Sequence, residues 1–218
     1  ADLWVPQTFG DPRTINSQTA LEQRLQPPSI EHPFGTDQMG RDMLGRVIYG
    51  ARVSLTVGVL SVALSVAIGI IMGSISGYYG RWVDALIMRI TDIFLSFPYI
   101  LFAILIMAVM PSTTRGVVLV VAVIGLLGWS TFARLLRSSV LSAKENDYVL
   151  AGRALGASTP RLLFRHILPN AIAPLLVYGT MSIGGAILTE SALSFLGLGI
   201  QPPDISWGRM IDAGRSFL

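Results

Sequence analysis

Side chains able to do chemistry are few and scattered in this sequence. It has two histidines, His32 and His166, and no cysteine. Disulfides, thiolate metal sites and cysteine nucleophiles are thereby excluded. Two histidines so far apart do not make a metal cluster, so no metal or other cofactor is expected. ATP hydrolysis needs a glycine loop that wraps backbone N–H groups and a lysine around phosphates, and no G-x-x-x-x-G-K-[ST] occurs. GASTPR, residues 156–161, opens with glycine but lacks the lysine and a preceding strand. Neither H-E-x-x-H nor G-x-S-x-G is present, so no catalytic residue is expected. Ionisable side chains inside apolar spans usually flag proton or ion pathways. Here Asp92 and Glu190 fall at the ends of apolar runs whose interiors are uncharged, which argues against a proton-coupled carrier. Glu190 is left to cap a helix, to pack, or to line an exit.

The most informative polar stretch is KENDYVLAGRALGASTPRLLFRHILPN, residues 144–170, set between strongly apolar segments. Asp147 is placed to cap a short helix over 148–155. Gly156 then supplies the left-handed residue that commonly ends a helix. Ser158 or Thr159 caps a second helix over 160–167, with Pro160 at its first position, where a missing N–H costs nothing. Pro169 stops that helix or starts the next. Two short helices joined by a tight turn allow three readings: an amphipathic loop on the membrane surface, a DNA-binding helix-turn-helix, or an element that docks a cytoplasmic partner. DNA is disfavoured because it would have to be brought to the bilayer, so docking is the reading adopted. Arg153, Arg161 and Arg165 either pair with acidic groups on that partner or face lipid headgroups.

The segments that position this loop are apolar. Of 218 residues, 52% are hydrophobic and 13% charged, about half the usual charged share, and the net charge is +3. That is the composition of an all-helical membrane protein, and the dispersed basic residues do not imply nucleic acid. The length allows one domain or two small ones. A span needs about 20 apolar residues, and uncharged runs over 53–80, 93–114, 116–133 and, after the loop, from 166 to 189 predict four spans. Residues 1–37, rich in Pro, Gly, Asn and Gln, read as an extended segment outside the membrane. Residues 38–52 read as an amphipathic lead-in helix. Arg81, Asp84 and Arg89 read as a short loop, and Pro98 should kink the second span or mark its start. Residues 110–116 read as a tight turn. Gly69, Gly73 and Gly77 recur every four residues on one helix face and admit a closely packed helix, of this chain or of a second subunit. Residues 190–208, broken by Gly and Pro, read as partly re-entrant or interfacial. No internal repeat is evident.

Three motifs carry a resemblance. AGRALG (151–156) followed by HILPN (166–170) resembles the EAA loop of bacterial ABC-importer permeases, E-A-A, three residues, G, nine residues, I-x-L-P. Leu150 stands at the Glu position, Ala151 and Gly152 at the two Ala positions, and Gly156 at the Gly. His166, Ile167, Leu168 and Pro169 hold the last four. Leu150 lacks the family's carboxylate and His166 replaces an apolar Ile. HPFGTDQMGRD (32–42) with YGARVSLTVG (49–58), and ESALSFLGLGIQPPDISWG (190–208), resemble permeases of the oligopeptide, dipeptide and nickel type. The first of these contributes Gly35, Thr36, Asp37, Gly40, Arg41 and Asp42.

The resemblance implies a type I ABC-importer transmembrane domain over 53–218, with the family's first and last spans missing and a coupling loop over 138–170. It implies a homologous second permease subunit, two cytoplasmic ATPases, an extracytoplasmic solute-binding protein, and residence in a bacterial or archaeal plasma membrane. Residues 150–156 and 166–169, including Arg153, Ala154 and Leu155, would couple to the ATPase. Peptides, nickel chelates and glutathione are the implied solutes. Lys and Arg divide eight against eight between the two sides, so orientation follows from the resemblance, which places the 144–170 loop in the cytoplasm. An ion-coupled secondary transporter and a non-transporting scaffold are the alternatives.

Overall fold

The structure, a computed structural model, describes residues 23–215. The expectation for residues 1–22 lies outside the described residues. The first helix, α1 (Met43–Tyr79), is the longest element. Asp42 caps it: its backbone is extended and its Oδ1 accepts from the Gly45 N–H at 2.7 Å. No proline interrupts residues 34–97, so the helix runs on for 37 residues, about 55 Å at the usual rise. The expected lead-in helix over 38–52 is therefore not separate. Residues 38–42 form a turn, and from Met43 the lead-in and the first span are one continuous helix.

Next come α2 (Arg81–Ser96) and α3 (Tyr99–Val109), bent by 83° at their junction. The cause is local. A residue before proline is pushed out of the helical region, and Phe97, before Pro98, is extended at φ −92°, ψ 136°. Pro98 thus marks the start of α3. The expected loop around Arg81, Asp84 and Arg89 is instead the first half of α2. Arg81 and Arg89 are exposed, while Asp84 lies on the face that buries Ile87 and Thr91. A single 3-10 turn, Ser112–Thr114, leads to α4 (Val117–Ala143). This helix continues ten residues beyond the predicted end at 133, because its late charges find partners on α2. Arg134 Nη2 reaches Asp92 Oδ1 at 2.6 Å, and Arg137 pairs with Asp84.

The polar insert holds α5 (Asp147–Ala154), α6 (Thr159–Arg161), a π-helical stretch (Leu162–Ile167) and α7 (Leu168–Ala171). After a 55° bend, α8 (Ala173–Phe195) crosses back, and α9 (Trp207–Gly214) follows a turn over 196–206. So α8 outruns the predicted end at 189 and takes in Glu190. Among the described residues no strand forms, only one isolated bridge between Thr36 and Asp42.

The core is the α1–α4 pair. A methyl group on Gly73 would lie 2.6 Å from the Ala133 carbonyl oxygen, and one on Gly77 would lie 2.9 Å from Val140 Cβ. Gly69 meets Phe132 in the same way. The glycine row thus lies against α4 of the same chain, at backbone-to-backbone range that only small residues allow. By length and composition α1 and α4 can each cross a membrane, and the two bent pairs raise the number to as many as four.

Candidate functional site

One end of the bundle gathers the polar insert of residues 144–170. Within α5 only Val149 is buried, and it packs in the core with Leu162 and Ile167. Gly152, one turn on, lies so close to Leu162 that an added methyl would sit 3.0 Å from its Cδ2. Val149 and Gly152 are three apart and share a face, so α5 rests on the π-helical stretch along that face and bares the rest. Leu150 is 48% exposed and Leu155 88%, and Ala151, Arg153, Ala154 and Gly156 are exposed too. The helix ends as glycine allows. Gly156 takes φ +79°, its N–H donates to the Arg153 carbonyl at 3.0 Å, and the Ala157 N–H donates to that of Gly152 at 3.0 Å. At the other end the capping position is Asn146, not Asp147, which is the first helical residue; neither Asn146 nor Ser158 makes a side-chain capping bond.

The second half of the motif is built differently. Ile167 and Leu168 are buried in the core, His166 is half-buried, and Pro169 is exposed. The second helix does not stop at residue 167. A proline has no N–H for the ordinary i−4 bond, and the chain widens into a π turn just before Pro169, with Leu168 N–H bonded to the Leu163 carbonyl. The residues of the EAA-like pattern thus divide into an exposed helix and a buried root, with Gly156 between them.

Three contacts brace this end against the spans. Arg137 holds Asp84 with two bonds, Nε to Oδ1 and Nη2 to Oδ2, each 2.5 Å, and Ser76 Oγ donates to the same carboxylate. Lys144 Nζ donates to the Gly77 carbonyl at 3.2 Å, and Tyr78 Oη to Thr159 Oγ1 at 3.4 Å. The Arg137–Asp84 pair thus ties α2 to α4 at this end, beside the Arg134–Asp92 pair further along, and α1 is bonded to the insert.

Between the helices lies a cavity of about 590 Å³, bounded by α1, α4, α8 and the break at Pro98. Its wall is mostly apolar, with hydroxyls from Ser61, Ser65, Thr131 and Ser182 and the ring of Tyr99. Ser65 Oγ donates to the Gly125 carbonyl and Tyr99 Oη to that of Ile124, while Ser61 Oγ is buried without a partner. Sequence reasoning missed this lining. A signal existed: Ser61 and Ser65 stand at i and i+4, one face of a helix.

The far end holds two further constructions. Glu190 is fully buried, neither at a helix end nor a cap. Ser54 Oγ donates to its Oε2 at 3.1 Å and Ser194 Oγ to its Oε1 at 2.7 Å, joining α1 to α8. The Trp207 N–H donates to Ser54 Oγ, which brings in α9. The 35–42 motif forms a tight loop at the start of α1. Asp37 Oδ1 accepts from the N–H groups of Met39 and Arg41, and its Oδ2 from Arg41 Nε at 2.8 Å. His32 Nδ1 meets Asp42 Oδ2 at 2.9 Å. Gly35 and Gly40 both take positive φ, +71° and +69°, as this loop demands.

Comparison with known proteins follows the same lines. Residues 65–218 match the family described as binding-protein-dependent transport system inner membrane component. A dipeptide transport system permease of Alkalihalophilus pseudofirmus is 45% identical over 202 residues, covering 93% of this chain and 66% of that protein. An oligopeptide transport system permease of Bacillus subtilis is 45% identical over 93% of this chain and 65% of its own length. A glutathione transport system permease of Pectobacterium atrosepticum is 43% identical over 87% of the chain and 62% of its own. The chain thus spans about two thirds of the length of these relatives. The fold also resembles a chain of the MetNI methionine ABC transporter in inward-facing conformations, with a TM-score of 0.65, 19% identity, and coverage of 81% of this chain and 82% of that one.

Proposed function

Because this chain belongs to the binding-protein-dependent transport system inner membrane components, we infer that it is a permease subunit of an ATP-driven importer for peptides or related solutes, glutathione and nickel chelates among them. The relatives that support the solute class are dipeptide, oligopeptide and glutathione permeases. ATP is hydrolysed by two separate cytoplasmic subunits, and an extracytoplasmic binding protein delivers solute. A homologous second permease completes the pathway, whose wall on this side includes the 590 Å³ cavity. The chain acts in the bacterial plasma membrane and binds no nucleic acid.

The observation that carries this reading is the division of the insert into a bare helix and a buried root. Helix α5 offers Leu150, Ala154 and Leu155 to solvent while Val149 fastens it to the core. An exposed Leu at the end of a short rigid helix fits a groove on a partner. Closure of the partner around α5 moves the root at Ile167 and Leu168 as a rigid body, and with it the bend into α8. Leu150 serves this as an apolar contact where the family pattern has a carboxylate.

Absence of cysteine makes the test clean. A single cysteine at the exposed Ala154, in the full-length protein in native membranes, is expected to cross-link to a soluble ATPase with a yield that changes with nucleotide. No capture, with Ala154→Cys still reachable from the cytoplasm, would reject the docking assignment and leave a carrier or scaffold.

A further inference from the structure

The membrane cavity of about 590 Å³ carries a chemical bias that solute passage alone does not require. No Lys, Arg, His, Asp or Glu stands in its wall. Hydroxyls do, and most of them have their proton engaged. Ser65 Oγ donates to the Gly125 carbonyl at 2.9 Å and Tyr99 Oη to that of Ile124 at 3.1 Å. On α8, Ser182 Oγ donates to the Tyr178 carbonyl at 2.7 Å and Thr189 Oγ1 to that of Gly185 at 2.9 Å. A hydroxyl has one proton and two lone pairs, so these four groups have only acceptors left to offer. Thr131 and Tyr178 can donate or accept. Ser182 and Thr189 stand seven apart, on one face of α8, and both are half-buried. The rings of Phe97, Tyr99 and Tyr178 also line the cavity, and all three are exposed. Aromatic faces carry negative potential. Helix α2 adds a third contribution, because it ends here: Phe94 and Leu95 from its last turn, and Phe97 beyond it, are in the wall. Pro98 has no N–H for the Phe94 carbonyl, and the C-terminal end of a helix carries partial negative charge. The opposite end of α3 contributes only Tyr99 of its own residues.

We propose that this cavity holds a subsite for the N-terminal ammonium group of a peptide on its way through the spans. An ammonium has three donors and no acceptor, the complement of a wall rich in acceptors. Aromatic faces and the C-terminal end of α2 attract the same positive charge. The peptide's carboxylate meets no cation in this wall and points away from it. The volume is in the usual range for a small ligand. With no carboxylate in the wall, the attraction stays weak enough for release, as passage requires. The inference rests on the importer reading for its solute and adds which end of that solute this subunit recognises.

The test uses the two permeases assembled with their ATPases in nanodiscs, without binding protein or ATP, so that no other component captures the peptide. Leu95→Cys is the only cysteine of this chain. Leu95 is 44% exposed and lines the cavity. Maleimide labelling of this chain is followed with Ala-Leu, Ala-Leu amide, N-acetyl-Ala-Leu, or potassium chloride alone. Ala-Leu and its amide are expected to slow labelling alike. The acetylated peptide, which lacks the ammonium, should need roughly ten times the concentration for equal protection, the worth of one charge-assisted bond. Ser182→Ala with Thr189→Val should close that gap and leave protection by the acetylated peptide unchanged, a split that mere loosening of α8 does not produce. A gap that survives the double change overturns the subsite. So does equal or stronger protection by the acetylated peptide, or protection by none, each read on protein that keeps Ser182 and Thr189. Protection by potassium chloride equal to that by Ala-Leu overturns it too, since the wall then takes any small cation. A cysteine that fails to react even without peptide does the same, because protein then fills the cavity. ATP-driven uptake is measured separately. Uptake with no protection removes this subsite alone, whereas protection without ATP-driven uptake removes the importer reading and leaves the subsite.

Discussion

Glycine 73 shows how much a single missing carbon decides. An added methyl would stand 2.6 Å from the Ala133 carbonyl oxygen, a backbone atom that cannot swing aside. Gly73→Ala is expected to lower stability by about 1–3 kcal/mol through overpacking, seen as a fall in the thermal midpoint of the purified complex. Gly184, with nothing within 4 Å, is the control, and Gly184→Ala should leave the midpoint nearly unchanged. The same contrast separates the charged residues. Arg137 and Asp84 satisfy each other on facing helices, whereas Arg46 keeps one buried nitrogen open. Nothing in their sequence neighbourhoods tells the two arginines apart. Their difference lies in what the fold brings opposite them.

At the scale of elements, the proposed coupling depends on how α5 joins its root. Gly156 is the joint, and at φ +79° an alanine is strained. Gly156→Ala is expected to cost about 1–2 kcal/mol locally and to redirect α5. Nucleotide-dependent cross-linking from position 154 and coupled uptake should both fall while assembly of the complex is retained. Unchanged coupling would mean that the turn tolerates another path. The bends have the same kind of cause. Phe97 is extended because a proline follows it, and the second break falls at Ile172, next to the Ala173–Pro174 start of α8. Each breaks a helix at a place the sequence marks with proline. The two bends measure 83° and 55°.

At the scale of the molecule, the proposed function makes the spans one wall of a pathway. The membrane cavity is lined by hydroxyls and aromatic rings, and the ion pairs of α2 and α4 lie outside it. Transport driven by an ion gradient usually needs titratable groups facing the pathway, and Glu190, the carboxylate buried within α8, is held by Ser54 and Ser194 and does not line the cavity. Uptake by the full assembly, reconstituted in liposomes, is therefore expected to stop when ATP is withheld and to survive collapse of the ion gradient. The reverse result would favour a secondary carrier.

Sequence alone determined the class of this protein. Four uncharged runs require an all-helical membrane domain, because backbone polar groups in lipid must be satisfied within the segment. The missing phosphate loop and missing cysteines limit its chemistry, and the spacing of Gly156, Leu168 and Pro169 points to the family that the comparisons show. Helix ends were less legible. Charges at Arg134 and Arg137 look like a span boundary, yet α4 runs through them, since Asp92 and Asp84 on α2 meet them. Tertiary structure decided which charges are paired, that the Gly69–Gly73–Gly77 row lies against α4, and that Glu190 joins three helices. It also decided that residues 25–46 and 210–214 close around one unsatisfied guanidinium. Those are relations between residues far apart in the chain, set by packing in three dimensions, and no local pattern encodes them.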